Sequence, residues 1–368
     1  MRITKLLATG LLATICGTSG IAQESIKIGL FGGTGPFSNL GEGFQTGIKP
    51  ALDSFNSSHS DFNIETVTVN VGSYDPTIGF NSIRKAIEVD NVVTMLGAGS
   101  SILIAARSYL EANQRVIFPA AESAALIVDN NYLQQIVPLL SDEVNAAADY
   151  FCETKSIKTI AVLALSGAFG DTAVDTVNER FSACGVEVVS VQRYSVPTTS
   201  FRPQLAAIKR SKPDAVYLAT IGSSENTSVV VQARQIGIDS KLIGYLASPE
   251  GALFDVDAGE GFVYTGFAVT EDLPEDVAKG YRAIGPLVLY GYNFGKVATS
   301  VIESLINSGD EVTGTAIRTR LLELKRFETA SGEFCFQENG HTQMPLAIWE
   351  VRDGKSAQLQ VIPSRDCD

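Results

Sequence analysis

Residues 158–194, KTIAVLALSGAFGDTAVDTVNERFSACGVEVVSVQRY, contain one complete strand–helix–strand unit. The apolar run at 158–165 predicts a buried strand, and a helix is predicted near 170–183. Gly185 is a typical helix-ending residue, and VEVVSVQRY at 186–194 predicts the next strand. Because a helix connects the two strands, the unit predicts a parallel pair.

The same alternation fills most of the chain and forms two similar halves. The strand-like runs are 25–31, 62–71, 91–97, 115–120, 158–165, 186–194, 214–222 and 241–247. A chain of 368 residues exceeds what a single core usually contains. We therefore predict an α/β protein with two doubly wound lobes.

The C-terminal third has a different pattern. A helical region is predicted at 275–325, with a break at the Gly-Pro pair 285–286. The stretch PLAIWEVRDGKSAQLQVI at 345–362 predicts an antiparallel hairpin with the Asp-Gly pair 353–354 at its turn.

Residues 1–22 have the pattern of a secretory signal peptide. Arg2 and Lys5 precede a short apolar run, and small residues predict cleavage near Ala22. A lipoprotein signal using Cys16 is disfavoured because a large residue precedes that cysteine. The apolar run is too short to span a bilayer, so we expect an exported, periplasmic protein.

The chain is acidic, with 28 Lys and Arg against 41 Asp and Glu and a formal net charge of −13. This balance argues against nucleic acid or an anionic membrane as a partner. A small anionic ligand in a local pocket stays compatible with it.

Four cysteines follow the signal peptide, and an even number in an exported protein indicates disulfides. They are Cys152, Cys184, Cys335 and Cys367. Three connectivities are open at this point. There is no C-x-x-C pair, and His59 and His341 have no metal ligand at useful spacing, so we expect neither a metal nor another cofactor.

The search for catalytic motifs favours binding over catalysis. The loop GGTGPFSNLG at 32–41 lacks the third glycine of a dinucleotide fingerprint, and Pro36 removes an N–H. Neither G-x-S-x-G nor H-E-x-x-H occurs. Carboxylates such as Asp171, Glu122 and Glu250 could form a hydrolase pair or bind a cationic ligand. Without a nucleophile or a metal motif, no residue is assigned a catalytic role.

Ligands of doubly wound sheets bind outside the carboxyl ends of the strands. The loops at those ends are 32–40, 98–101, 120–123, 166–170, 221–224 and 247–251. Ser100 or Ser101 is a natural helix N-cap, and the N–H groups beside it attract an anion or a carbonyl. The pattern is equally compatible with a serine that only caps its own helix and with a serine that contacts a ligand. Glu250 either compensates a helix dipole or binds a ligand ammonium.

An ordered set of short motifs resembles the type I periplasmic ligand-binding proteins of ABC transporters, in the leucine/isoleucine/valine-binding branch. The motifs span nearly the whole chain after residue 22. They include IGLFGGTGPFSNLGEGFQTG, YDPTIGFNSIRKAI, LGAGSS, FPAAES, LSDEVNAAADYF, GAFGDTAVD, PDAVYLAT, VQARQIGI, SPEGALF and SGEFCFQENG.

The resemblance implies two lobes that are joined by three crossover strands and close on a solute by a hinge motion. Lobe 1 is expected to contain residues 23–138 and 268–330, and lobe 2 residues 139–267 and 331–368. The crossovers are expected near 138–141, 266–270 and 328–333.

The resemblance also implies ligand-binding residues. Ser100, with Ser101 beside it, matches the serine that binds a ligand carboxylate. Ala120 matches a position whose carbonyl binds the ligand ammonium. Glu250 matches the acid that pairs with that ammonium. Phe169 matches an aromatic residue that covers the ligand from lobe 2.

Two positions depart from the family pattern. Glu122 stands where a Ser or Thr usually lies beside the carboxylate, and Leu140 stands near where an acid often helps to hold the amine. A glutamate beside a ligand carboxylate is repulsive unless it is protonated, turned away or paired. The departures therefore argue against an ordinary branched-chain amino acid. Ser123 can supply the missing hydroxyl, and Leu40 is expected near the ligand.

The function implied is a monomeric extracytoplasmic receptor that delivers an amino acid or amide to the membrane permease of an ABC importer. A periplasmic sensor on the same fold is the alternative, and a carboxylate-based hydrolase is less favoured. Cys152 and Cys184 fall at the ends of successive helices, and Cys335 and Cys367 belong to the C-terminal return. We therefore predict those two disulfides.

Overall fold

The computed structural model describes most of the chain after residue 22. The described residues are 23–34, 39–72, 75–97, 99–128, 132–195, 197–220, 222–246, 251–270 and 272–364, with the backbone alone at 39, 168, 222–224, 251 and 252. The predicted signal peptide, Glu250 and Cys367 lie outside them.

The first sheet has four parallel strands in the order β2-β1-β3-β4. The strands are β1 Glu24–Gly32, β2 Phe62–Asn70, β3 Val92–Gly97 and β4 Ile117–Pro119, and the helices between them are α1 Asn39–Ser58, α2 Pro76–Glu88 and α3 Ser100–Ala112. The order reverses between β1 and β3, which places the loops after these strands at a topological switch point.

The second sheet has seven strands in the order β14-β13-β9-β8-β7-β5-β6. Its parallel strands are β5 Thr159–Leu165, β6 Glu187–Tyr194, β7 Ala215–Ala219, β8 Lys241–Gly244 and β9 Val263–Phe267, and its helices are α4 Leu140–Thr154, α5 Ala168–Ala183, α6 Arg202–Ser211, α7 Gly222–Gln235 and α8 Gly251–Phe254. Ile160 and Val162 pack in one core, and Ala161 and Leu163 pack in another on the opposite face. Because both faces are covered, these strands are apolar throughout rather than alternating.

The predicted hairpin forms one edge of this sheet. Strand β13, Leu346–Arg352, is antiparallel to both β9 and β14, Lys355–Ile362. Asp353 and Gly354 at its turn have φ values of 51° and 66°, as a two-residue type I′ turn requires.

The region between residues 275 and 343 packs on the first sheet. It contains α9 Glu275–Ile284, α10 Pro286–Ser308 and α11 Gly314–Leu324, followed by the antiparallel strands β10 Arg326–Thr329, β11 Gly332–Phe336 and β12 Thr342–Gln343. The ring of Phe118 lies 5.2 Å from that of Phe294 and 6.0 Å from that of Phe336. The α/β class with two doubly wound lobes is therefore confirmed.

The chain passes between the two lobes three times. It leaves the first core before Leu140, returns to it at Phe267, and leaves again before Ile348, which lies in the second core. Phe334 and Phe336 belong to the first core, although residues 331–368 are expected in lobe 2. We therefore propose a third boundary near Met344, because the short strands β11 and β12 bury their apolar side chains against lobe 1.

Helices α1 and α10 approach each other closely enough for their backbones to touch. A Cβ atom added to Gly47 would lie 1.9 Å from the carbonyl oxygen of Val288. One added to Gly291 would lie 2.4 Å from the carbonyl oxygen of Phe44. Glycine at these positions lets α10 pack directly against α1.

The predicted disulfide between Cys152 and Cys184 is confirmed. It joins the C-terminal ends of α4 and α5, with the two Cα atoms 5.8 Å apart. Cys335 is also disulfide-bonded. Its predicted partner, Cys367, lies outside the described residues, so that pairing stays a prediction.

Replacing Cys152 and Cys184 together with alanine should lower the free energy of unfolding by about 3–4 kcal/mol, since the bond closes a loop of 32 residues. Urea unfolding of the oxidised protein and of the variant measures the difference. The reduced wild-type protein is the control and should lose at least as much. An unchanged urea midpoint in the double variant would contradict this expectation.

Candidate functional site

The loop after β3 presents a helix N-terminus at the carboxyl end of the first sheet. Helix α3 begins at Ser100, and its N-cap is Gly99 with φ 90° and no capping side chain. The prediction that Ser100 or Ser101 is the N-cap is therefore wrong, because a glycine takes the positive φ and places both serines inside the first turn. Among the described residues, no group accepts from the N–H groups of Ser100 and Ser101. Ser100 is half-buried and Ser101 is exposed.

The loop after β4 lies beside the first crossing between the lobes. The N–H of Ala120 donates to the carbonyl of Gly97 at 2.6 Å, and the N–H of Leu140 donates to the carbonyl of Glu122 at 3.0 Å. Ala120, Glu122 and Ser123 are all half-buried. These bonds hold the loop against the end of β3 on one side and against the start of α4 on the other.

Two carboxyl groups meet at this crossing. Glu143, on the first turn of α4, is fully buried, and its Oε2 accepts from the N–H of Leu246 and, at 2.9 Å, from the hydroxyl of Thr265. Its Oε1 has no partner among the described residues. Burial raises the pKa of Glu143 well above its ordinary value, and the negative charge of Glu122 raises it further. Burial raises the pKa of Glu122 to about 7.

Phenol groups from both lobes surround the two acids. Tyr217 on β7 is fully buried, and its hydroxyl has no partner in the described part of the chain. Burial raises the pKa of Tyr217, and the charges of Glu143 and Glu122 raise it further. The pKa of Tyr290 on α10 is raised by burial and then by the same two acids.

The second lobe adds an aromatic wall. The hydroxyl of Tyr245, just after β8, donates to the carbonyl of Thr220 at 2.5 Å. The ring of Phe169, at the start of α5, lies 5.6 Å from that of Tyr245. Phe169 is therefore positioned at the same end of the second sheet as Tyr217 and Thr220.

The remaining predicted positions are two buried leucines and one residue outside the described ranges. Leu40 is 3% exposed and packs in the first core, and Leu140 is 1% exposed and packs in the second. Glu250 lies outside the described residues, so its expected meeting with Ser100 stays a prediction.

Sequence analysis missed Glu143 because it searched only the loops. The signal was present in LSDEVNAAADYF, where Glu143 falls on the apolar face formed by Leu140, Val144 and Ala147. A glutamate within such a face is rarely buried without a partner, and it therefore marks a candidate site.

The described residues contain no group of three or more His, Cys, Asp or Glu able to hold a metal ion. Within the same ranges, every helix is too short or too polar to cross a bilayer.

Comparisons with known proteins agree with this architecture. A family model described as periplasmic binding protein matches residues 25–356. A solved ABC transporter substrate-binding protein from Sphaerobacter thermophilus is 24% identical, with a TM-score of 0.80 over 92% of this chain and 98% of that one.

Two further solved structures differ in the ligands that they contain. A branched-chain amino acid binding protein from Streptococcus pneumoniae, in complex with isoleucine, is 17% identical, with a TM-score of 0.77 over 92% of this chain and 100% of that one. A solute-binding protein from Rhodopseudomonas palustris, in complex with 4-hydroxybenzoate, is 20% identical, with the same TM-score over 94% of this chain and 98% of that one. At these identities the similarity establishes the fold, and it leaves the ligand open.

Proposed function

Because this chain belongs to the periplasmic binding protein family, we propose that it is the extracytoplasmic receptor of an ABC importer. It binds a small amino-acid-like or amide solute between its two lobes and delivers the solute to a membrane permease. The observation that supports this most directly is the convergence of Glu122 and Tyr290 from lobe 1 with Glu143 and Tyr217 from lobe 2. Groups from two lobes that meet at the carboxyl ends of parallel strands are typical of a ligand cleft.

The roles of the two sides follow from their chemistry. The N–H groups of Ser100 and Ser101, with their hydroxyls, are donors at a helix N-terminus and suit a ligand carbonyl oxygen. The Ala120 carbonyl, Glu122 and Glu250 are acceptors and suit ligand N–H groups. An amide or an amine presents such groups.

Closure of the lobes would use a contact that already bridges them. The Nε2 of His341 lies 2.9 Å from a carboxylate oxygen of Asp142. Within lobe 2, Glu143 joins α4 to Leu246 and Thr265 beside the same crossing. A rotation of one lobe on the other can keep both sets of contacts intact.

A thermal-shift screen of the protein from residue 23 onward tests the proposal, with amino acids, amides, urea and small carboxylates as probes. We expect at least one of these solutes to raise the melting temperature, since a ligand that binds only the folded state stabilises it. For a ligand that carries an ammonium, Glu250→Gln should weaken binding by about 1.5–3 kcal/mol. Turnover of a bound solute, or a screen in which no solute stabilises the protein, would contradict the receptor function.

A further inference from the structure

The loops at the carboxyl ends of the strands are unusual in charge. Across 32–40, 98–101, 120–123, 166–170, 221–224 and 247–251 there is no lysine, arginine or histidine, whereas Glu122 and Glu250 are both present. Glu143 adds a third acid from α4. These loops therefore carry acidic residues and no basic residue in their sequence. Among the described residues beside them, Arg193 donates a hydrogen bond to the carbonyl of Leu165 and is paired with Asp171.

The acids are also short of hydrogen-bond donors. Oxygen atoms on three fully buried residues, Glu143 Oε1, the Tyr217 hydroxyl and Thr220 Oγ1, have no partner among the described residues. Buried polar atoms in folded proteins nearly always have a partner. All three atoms can accept a hydrogen bond, so each is suited to an N–H donor.

Apart from the N–H of Leu246 and the hydroxyl of Thr265, the groups that act on Glu143 within the described chain are acids and phenols. Glu122 and Asp142 act on its carboxyl, and Tyr217 and Tyr290 face both glutamates. Asp142 is the outer member of this set, and it is paired with His341. A buried pair of carboxyl groups without a counter-ion is costly whenever both ionise.

We propose that the cleft selects a small organic cation that bears no carboxylate, an amidinium or a primary amine, held by Glu122 and Glu143 together. The proposal rests on the receptor function and names its substrate class. A bound cation supplies both the missing positive charge and the missing N–H donors. A ligand carboxylate finds no cationic partner in these loops, and it disfavours ionisation of the same two acids.

A neutral amide is the competing ligand, since a protonated glutamate can donate to its carbonyl. A cation and a neutral amide differ in the number of protons that the protein releases when they bind. The pKa of Glu122 lies near 7 without ligand, so a cation that requires its ionised form should expel protons on binding near neutral pH. A neutral amide leaves the acids protonated and expels none.

Three isosteric probes separate the classes at pH 7.5: benzamidine, benzamide and benzoate. Isothermal titration and thermal shift at up to tens of millimolar should show benzamidine binding at least about tenfold more tightly than benzamide. Benzoate should not bind. The pair 3-methylbutylamine and leucine repeats the comparison, because the two differ mainly by the carboxylate, and the amine should bind more tightly. The proposal is overturned if benzamide or benzoate binds as tightly as benzamidine, or if leucine binds as tightly as 3-methylbutylamine. It is also overturned if neither cation shifts the melting temperature.

Glu122→Gln and Glu143→Gln should each weaken benzamidine by at least about tenfold. Glu311→Gln, at an exposed carboxylate, is the matched control and should leave binding unchanged. Titration in buffers of different ionisation enthalpy should reveal proton release with the wild-type protein and less with Glu122→Gln. Unaltered binding in both cleft variants also overturns the proposal. If neutral or anionic solutes stabilise the protein and the cations do not, the charge selection fails while the receptor function stands. If no solute of any class does, both fail.

Discussion

Glu143→Gln is expected to be more stable than the wild-type protein at pH 8, by on the order of 2–4 kcal/mol in the free energy of unfolding. Glu143 is fully buried, and one of its oxygens has no partner among the described residues. Glutamine keeps an acceptor for the N–H of Leu246 and the hydroxyl of Thr265 and removes the buried charge. Chemical denaturation of the unliganded protein at several pH values measures the effect.

The direction of the pH dependence follows from the folded-state pKa. Burial, and then the charge of Glu122, hold the pKa of Glu143 above its unfolded value, so the folded state binds its proton more strongly. The contribution of Glu143 to the free energy of unfolding is fully present below the pKa that its carboxyl has in the unfolded state. That contribution is lost as the pH rises toward the higher pKa of the folded state. The advantage of glutamine should therefore be small near pH 4.5 and large at pH 8. Glu311→Gln should show no such trend, and a cleft variant less stable than wild type at pH 8 would overturn the argument.

Gly47→Ala is expected to lower the free energy of unfolding by at least about 3 kcal/mol or to prevent folding. The new Cβ would lie 1.9 Å from the carbonyl oxygen of Val288 and 2.7 Å from the backbone nitrogen of Tyr292. Neither atom can rotate away as a flexible side chain can, so α10 would have to move off α1. Urea unfolding measures the loss.

Ser54→Ala, on an exposed position of α1, controls for the change in helix propensity and should be within about 0.5 kcal/mol of wild type. If Gly47→Ala had the same urea midpoint as the wild-type protein, α10 would be able to move away from α1 at little cost. Because α10 also contains Tyr290, a displaced helix should reduce solute binding as well, which can be tested in any variant that folds.

Local patterns predicted most of the fold. The apolar runs and glycine stops mark strands β1–β8 to within a few residues, and Gly285, with φ 92°, separates α9 from α10 as the Gly-Pro pair indicates. The short strands β11 and β12 are expected in lobe 2, whereas Phe334 and Phe336 pack in the first core. A few apolar residues of this kind can fill either core equally well. Which core they fill depends on contacts far along the chain.

The site was less predictable for a similar reason. Glu122 follows a strand directly and is found by inspecting loops, whereas Glu143 reaches the same place only because α4 starts at the crossing. The N-cap at Gly99 depends on a backbone angle that residue preferences do not fix. Tyr217 looks like an ordinary core residue in AVYLA, and only the three-dimensional structure places its hydroxyl beside two acids.

The bond from the N–H of Leu140 to the carbonyl of Glu122 has a mechanical consequence. In the proposed closure, both acids lie next to the chain crossing at the start of α4, so a rotation of the lobes changes their separation little. The proposed binding of a solute by the two acids is therefore separable from the movement that encloses it.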